Sequence, residues 1–238
     1  MNIAVIFAGG TGQRMNSKSK PKQFLELHKK PILIYTLEQF ENHPEIDKII
    51  IICLESWIPY CNELLNKFYI NKVDAVIPGG NTGFESRFSG LKKAKELYPR
   101  DSVILMHDGV RPLIDEITIS NVISCVKRNG SAITVAPVVE TITIKSEDDK
   151  VESIVDRSKC QLAKAPQCFF LGELYDAHEK GYKEGLLDSI DSASLMRHYG
   201  HTLYTVECGS ENIKITTPTD FYIFRAILDA RENSQVFE

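Results

Sequence analysis

The stretch Ile3-Ala4-Val5-Ile6-Phe7-Ala8-Gly9-Gly10-Thr11-Gly12-Gln13-Arg14-Met15 decides how this chain is read. Ile3–Phe7 is short, apolar and rich in β-branched residues, the pattern of a strand buried on both faces. The glycines at 9, 10 and 12 that follow let the backbone turn tightly and present N–H groups to an anion. In an open α/β sheet such a loop lies at the carboxyl ends of the strands, where ligands bind. Its spacing is neither Gly-x-Gly-x-x-Gly nor Gly-x-x-x-x-Gly-Lys-Ser/Thr, so the dinucleotide fold and the Walker loop are both poor fits. Arg14, and Lys22 in the continuing Lys20-Pro21-Lys22-Gln23-Phe24, place cations on both sides of the turn. A triphosphate needs charge from two directions, and backbone donors with two cations supply it. An ordinary glycine turn with solvated basic residues would have the same spacing.

Outward from this loop, β-branched apolar runs alternate with amphipathic stretches. Strands are predicted at Lys48–Cys53, Val73–Ile77, Val103–His107 and Ala132–Val138. Helices are predicted at Ile32–Glu41, Trp57–Phe68, Glu85–Leu97 and Ile117–Asn129. The alternation implies an open, mostly parallel α/β sheet with helices on both faces. It breaks at Glu140–Lys145 and Val151–Val155, which read as a hairpin protruding from the sheet. A plain surface excursion and a dimerisation arm both fit that pattern. Helices at Leu171–Tyr182 and Ser192–Tyr199, a strand at Thr202–Glu207 and a last helix at Pro218–Arg231 follow, the last with Thr217 as its N-cap. No linker or repeat divides the chain, so residues 1–238 read as a single domain with an arm at about 139–157.

Composition narrows the function. The chain has 238 residues, 43% hydrophobic and 25% charged, with a formal net charge of −4. These values are those of a globular chain rather than a disordered one. The acidic balance argues against nucleic acid as a partner, so phosphate binding must come from local clusters. The longest apolar runs, such as Ile49–Leu54, fall far short of the roughly 20 residues that cross a bilayer, so no membrane insertion is expected. The N-terminus reads as a first buried strand and not as a signal peptide. Cys53, Cys61, Cys125, Cys160, Cys168 and Cys208 are scattered without metal or redox spacing. Reduced thiols in a cytoplasmic protein are the expectation.

Ala8-Gly9-Gly10-x-Gly12-x-Arg14-Met15 with Pro21-Lys22-Gln23 resembles the signature of sugar- and polyol-phosphate nucleotidyltransferases. The closest branch is the cytidylyltransferases that act on ribitol phosphate or methylerythritol phosphate. The resemblance continues in order through His107-Asp108-Gly109-Val110-Arg111-Pro112, Ala136-Pro137-Val138 with Thr141, and Val155-Asp156-Arg157. It ends with Pro166-Gln167, Asp191-Ser192-Ala193-Ser194 and Glu211–Pro218. Each piece is weak alone, but the ordered set spans nearly the whole chain.

The resemblance implies a Rossmann-like nucleotidyltransferase sheet and transfer of CMP from CTP to a polyol phosphate, with release of pyrophosphate. Arg14, Lys22 and Lys214 match the cations that hold the phosphates and act in catalysis, Lys214 being expected at the end of a late strand. Ala8, Gly9, Gly10, Thr11 and Gly12, with Gly80, Asn81 and Ser86, match nucleotide-binding positions. Asp108, Arg111, Thr141 and Arg157 match acceptor-binding positions, the last two reaching across from a partner subunit in a homodimer built by exchanged arms. Asp108, with Asn212 as a second ligand, is implied to hold Mg²⁺ bound with CTP.

Departures concern the acceptor. Ala165-Pro166-Gln167 replaces Thr-Pro-Gln, Ile190 stands where the methylerythritol branch often has threonine, and Asn81–Ser86 lacks a common arginine. Val110 and Thr216-Thr217-Pro218 look more like the ribitol-phosphate branch. Ribitol 5-phosphate is therefore the expected acceptor, with methylerythritol phosphate second. An inactive dimeric nucleotide-binding scaffold is the non-enzyme alternative.

Overall fold

The computed structural model describes residues 1–10 and 20–237, with side chains through 233. Its strands are β1 (Asn2–Ala8), β2 (Glu26–Leu27), β3 (Lys30–Pro31), β4 (Lys48–Cys53), β5 (Val73–Pro78), β6 (Val103–Asp108), β7 (Ser131–Pro137), β8 (Ile142–Lys145), β9 (Val151–Val155), β10 (Gln161–Phe170) and β11 (Thr205–Glu207). Its α-helices are α1 (Ile32–Glu41), α2 (Ile58–Lys67), α3 (Gly83–Leu97), α4 (Glu116–Asn129), α5 (Leu171–Glu184), α6 (Ser192–His198) and α7 (Pro218–Phe237).

The main sheet runs β11-β7-β10-β6-β1-β4-β5. β1 lies parallel between β4 and β6, β5 is parallel to β4, and β11 is parallel to β7. The expected open, mostly parallel sheet is therefore present. Successive side chains of a strand point to opposite faces, and both faces are covered. Ala4, Ile6, Ile49 and Ile51 pack with Leu33, Leu37 and Phe40 of α1 and Ile119 and Val122 of α4. Ile3, Val5, Ile50 and Ile52 pack with Phe84, Phe88 and Leu91 of α3 and Leu174 of α5. α3 sits close because Gly90 faces the sheet, where a Cβ would come within 2.8 Å of Ile52 Cδ1 and 3.0 Å of Val5 Cγ1.

β10 was not expected, and it lies antiparallel between β6 and β7 in the middle of the sheet. Its sequence conceals it. Pro166 cannot donate to a ladder, and the pairing with β7 shifts between Ala163 and Gln167 to accommodate it. Thr134 Oγ1 donates to the Pro166 carbonyl at 2.7 Å, so that acceptor is satisfied. Lys214 does not end a late strand. Residues 212–216 belong to no strand, and Ile215 N donates to Val110 O at 2.9 Å. The strand expected from Thr202 begins at Thr205.

The caps follow the sequence. Asp115 accepts from Thr118 N at the start of α4, and Asp220 accepts from the N–H groups of Thr216 and Thr217 while its own N–H reaches Thr217 Oγ1. Thr217 is thus the α7 cap. β8 and β9 pair only with each other in a separate two-stranded sheet. Val139, Val151 and Ile154 are 76%, 62% and 70% exposed on or beside it.

The interior carries a titratable group with a testable signature. His178 of α5 is buried against Phe84 and Phe88, and its Nδ1–H donates to Leu174 O at 2.9 Å. Burial lowers its pKa from 6.5 to about 4. An unfolded chain would protonate this ring near its ordinary pKa while the native protein leaves it neutral. Stability is therefore complete above pH 6.5 and falls as pH drops toward 4, by at most about 1.4 kcal/mol per pH unit from this residue. His107, also buried and also lowered to about 4, adds a second such contribution. Urea unfolding at stepped pH should show this slope, and His178→Phe should flatten it; an unchanged slope would refute the assignment.

Candidate active site

Loops at the carboxyl ends of β1, β5 and β6, with Ile52 of β4, part of β10 and the segment at 214–216, enclose a cavity of about 900 Å³. This is the edge at which open α/β sheets bind ligands. Of the glycine-rich loop, Ala8, Gly9 and Gly10 line the cavity; Thr11, Gly12 and Arg14 lie outside the described residues. The buried Gln23 donates to Ala8 O at 2.6 Å and pins the turn from below. Its neighbour Phe24 is fully buried and stacks on Trp57 at 5.0 Å between ring centres. That anchor holds Lys22 at the cavity wall, where its Nζ donates to Ile215 O at 3.0 Å.

A second wall is folded by the first turn of α3. Thr82 Oγ1 accepts from Glu85 N, and the Glu85 carboxylate accepts from Asn81 N at 2.7 Å and Thr82 N at 3.2 Å. This reciprocal capping arrangement satisfies otherwise unpaired N–H groups at the helix start. Gly80 N donates to Ser86 Oγ at 3.1 Å. A Cβ at Gly80 would sit 2.3 Å from Glu85 Cβ, so only glycine fits this turn. Gly80, Asn81 and Ser86 are thereby gathered on one side.

Asp108, at the end of β6, organises the opposite side. Its Oδ1 accepts from Lys214 Nζ at 2.7 Å and its Oδ2 from Arg111 Nε at 2.9 Å. Burial alone would raise its pKa, but Lys214 and Arg111 outweigh burial and bring it down to about 2. Asp108 is thus ionised at any physiological pH. His107 behind it is neutral, its Nε2–H donating to Arg111 O at 3.2 Å and its ring against Phe40.

The expected sites separate in two places. The Asn212 side chain does not line the cavity: it is buried, donates to Ala165 O at 2.7 Å, and leaves Oδ1 without a partner among the described residues. Asn212 enters the site through its main-chain carbonyl, which accepts from Arg111 Nη1 at 2.9 Å. Thr141 and Arg157 are exposed on the arm and do not line the cavity of their own chain; Arg157 Nη1 donates to Val139 O at 2.7 Å. Among the described residues, the three-residue cluster of metal-ligand type is His28, Asp229 and Glu232, none of which lines the cavity.

The sequence reading gave no role to three polar wall residues, Arg87, Gln167 and Lys164. Arg87 of α3 donates to Ser189 O at 2.7 Å and Ile190 O at 3.3 Å, tying the loop before α6 to the cavity. Its guanidinium lies 3.3 Å from where a Gly83 Cβ would stand. The arginine absent from Asn81–Ser86 is thus answered one helical turn past Gly83, a spacing that puts both positions on one face. Burial lowers its pKa, against the pull of Asp191 and Asp108. Gln167 and Lys164 reach the cavity from β10. Gln167 donates to Asp191 Oδ2 at 2.7 Å and accepts from Ala193 N at 3.0 Å, docking the start of α6.

Residues 2–230 match the family described as 2-C-methyl-D-erythritol 4-phosphate cytidylyltransferase, IspD. The chain is 52% identical over 237 residues to the ribitol-5-phosphate cytidylyltransferase of Vibrio parahaemolyticus serotype O3:K6, with 100% of both chains covered. It is 39% identical over 229 residues to the 2-C-methyl-D-erythritol 4-phosphate cytidylyltransferase of Clostridium acetobutylicum, covering 96% of this chain and 97% of that one. The crystal structure of 4-diphosphocytidyl-2C-methyl-D-erythritol synthase from Anaerococcus prevotii superposes with a TM-score of 0.83 at 28% identity, covering 96% of each chain. The glycine loop, the Asp108 cluster and a match along almost the entire length agree, and the chain belongs to the IspD family of cytidylyltransferases.

Proposed function

We propose that this protein transfers CMP from CTP to D-ribitol 5-phosphate, giving CDP-ribitol and pyrophosphate. The observation that carries the chemistry is the placement of Lys22, Lys214, Arg111 and Asp108 around the same cavity as Gly9, Gly10, Gly80 and Asn81. The acceptor is inferred from the closer full-length likeness to a ribitol-phosphate enzyme than to a methylerythritol-phosphate one. Methylerythritol phosphate is the second reading because the family's own description names it.

In this mechanism a phosphate oxygen of the acceptor attacks the α-phosphorus of CTP, and the bond to the β-phosphate breaks to release pyrophosphate. The protein's task is to hold two anions together and neutralise charge as it builds. Lys22 and Arg14 take the triphosphate, and Lys214 takes the α-phosphate. Asp108 aligns Lys214 and Arg111 beforehand, so little reorganisation is needed during reaction. The acceptor requires no general base: its second pKa is about 6, so it is largely dianionic near neutral pH. The turn at Ala8–Gly10 and the Gly80–Ser86 wall receive the nucleotide, with Thr11 and Gly12 completing the loop.

A divalent cation fits the donor set. Mg²⁺ favours one or two carboxylates with substrate phosphates and retained waters, and Asp108 supplies an ionised carboxylate at the cavity edge. Asp108 would hold the ion, which when bound would neutralise triphosphate charge. A cytoplasmic location belongs to the same proposal. No helix among the described residues is long and apolar enough to cross a membrane.

We further propose one domain with an arm at 139–157 that completes the site of a second copy. Thr141 and Arg157 lie off their own cavity, and apolar side chains on the arm are exposed. A two-stranded hairpin alone is marginal in water, whereas an exchange of arms about a two-fold axis would bury both in one interface.

Pyrophosphate release should be measured with CTP, Mg²⁺ and a panel of four- and five-carbon polyol phosphates. Ribitol 5-phosphate should give the highest kcat/KM, and a clear preference for methylerythritol phosphate would reverse the acceptor assignment. Lys22→Ala and Arg14→Ala should each lower turnover about 10²-fold, as loss of one preorganised charge costs about 3 kcal/mol. Near-normal turnover at saturating CTP would refute the roles given to that loop. For the arm, inactive Arg157→Ala and Lys22→Ala proteins should regain activity when mixed and allowed to exchange subunits, because some heterodimers then hold one intact site. Demonstrated exchange without recovery would show that each arm serves its own subunit.

A further inference from the structure

We propose that Lys164 is an acceptor-binding residue that pairs with Arg111 to hold the phosphate of the polyol substrate. This rests on the cytidylyltransferase reading above and goes beyond it, since neither the sequence signature nor the roles already assigned include Lys164.

The placement comes from the sheet. Residues 161–163 of β10 pair only with β7, and pairing with β6 begins at Gln167 opposite Met106. The shift between Ala163 and Gln167 therefore lies beside the end of β6, where Asp108 stands, and Lys164 lines the cavity there. The nucleotide wall at Gly80–Ser86 follows β5, four strand intervals from β10. Lys164 thus stands on the side of the cavity that carries Asp108 and Arg111.

The chemistry points to an anion. Lys164 Nζ donates to Ser210 O at 3.1 Å and to Asn212 O at 3.2 Å. The same Asn212 carbonyl accepts from Arg111 Nη1 at 2.9 Å, so two cations converge on one oxygen. An ammonium has three donors, and two are used here. No carboxylate among the described residues forms an ion pair with Lys164, while the nearby Asp108 is already shared by Lys214 and Arg111. Burial, aided by Arg111, lowers the Lys164 pKa. A half-buried cation held beside another cation is costly unless an anion arrives. A phosphate offers charge-assisted acceptors to both.

A purely structural strut is the competing role, because the two carbonyls belong to the segment that carries Lys214. Kinetics separate them. Lys164→Ala and Lys164→Gln should raise KM for the polyol phosphate at least tenfold, leave KM for CTP within about twofold, and change kcat little. Lys164→Arg should recover part of that loss. Retained CTP binding by calorimetry establishes that each variant is folded. An unchanged acceptor KM would overturn the proposal, as would a rise in KM for CTP alone, which would assign Lys164 to the triphosphate. A parallel loss in both KM values and kcat would reveal a strut and overturn it equally. The wild-type panel reads the function separately: if ribitol 5-phosphate is not used, that reading falls, and the Lys164 variants are measured on whichever polyol phosphate is used.

Discussion

The Asp108 carboxylate is the interaction on which the site depends, because it is one anion set among several cations. Lys214 and Arg111 both donate to it, at 2.7 and 2.9 Å. Neither cation is neutralised in full, since they share a single charge. Asn212 O accepts from both Arg111 and Lys164, and Ser210 O from Lys164. Carbonyl dipoles hold an ammonium or guanidinium in place without cancelling its charge. A wall built this way stays electropositive while its side chains stay fixed, which is the condition for stabilising a crowded phosphoryl group without reorganisation.

The segment from Cys208 to Thr217 accordingly has a structural reason to be irregular. A paired strand would spend its carbonyls on a ladder. Outside any strand, the segment turns the carbonyls of Ser210, Asn212 and Ile215 toward the cations, while Ile215 stays anchored by its N–H to Val110 O and by burial against Leu27, Ile32 and Phe224. The family resemblance implied a late strand ending at Lys214; instead Ile213 and Ile215 seat the segment against α7 and Leu27 rather than in the sheet.

Much of the frame was legible because periodicity records burial. α1 and β4 fall at the residues the pattern indicates, since each buries a face with no competing signal. β10 was hidden because Pro166 and Lys164 interrupt its apolar run, and its first half is exposed. The β2–β3 turn was hidden for another reason: His28 and Lys29 adopt positive φ of 49° and 64° without a glycine to announce it. Of the site, the glycine turns were legible because backbone approach demands glycine, as at Gly80. Arg87 and Lys164 were not, because a lone cation in a sequence has no address until the fold supplies one. Arg87 alone left a trace, in its spacing of one helical turn from Gly83.

The arm follows a different logic from the cavity. Lys22, Arg111, Lys164 and Lys214 come from four separate stretches, yet the sheet edge and the 210–215 segment bring them together within one chain. Thr141 and Arg157 are not brought there; they lie on a hairpin whose strands pair with nothing else. Ile144 on the hairpin and Leu162 on β10 are likewise exposed, by 48% and 49%. Such a surface on a marginal hairpin is difficult to maintain unless something covers it. In the proposed dimer the same contact that covers it would also carry Arg157 to a second cavity. The cations native to each cavity would then hold the nucleotide and one side of the acceptor phosphate, and the visiting arginine would close the other side. Acceptor binding would thereby be coupled to assembly, while the nucleotide wall, complete within one chain, would not be.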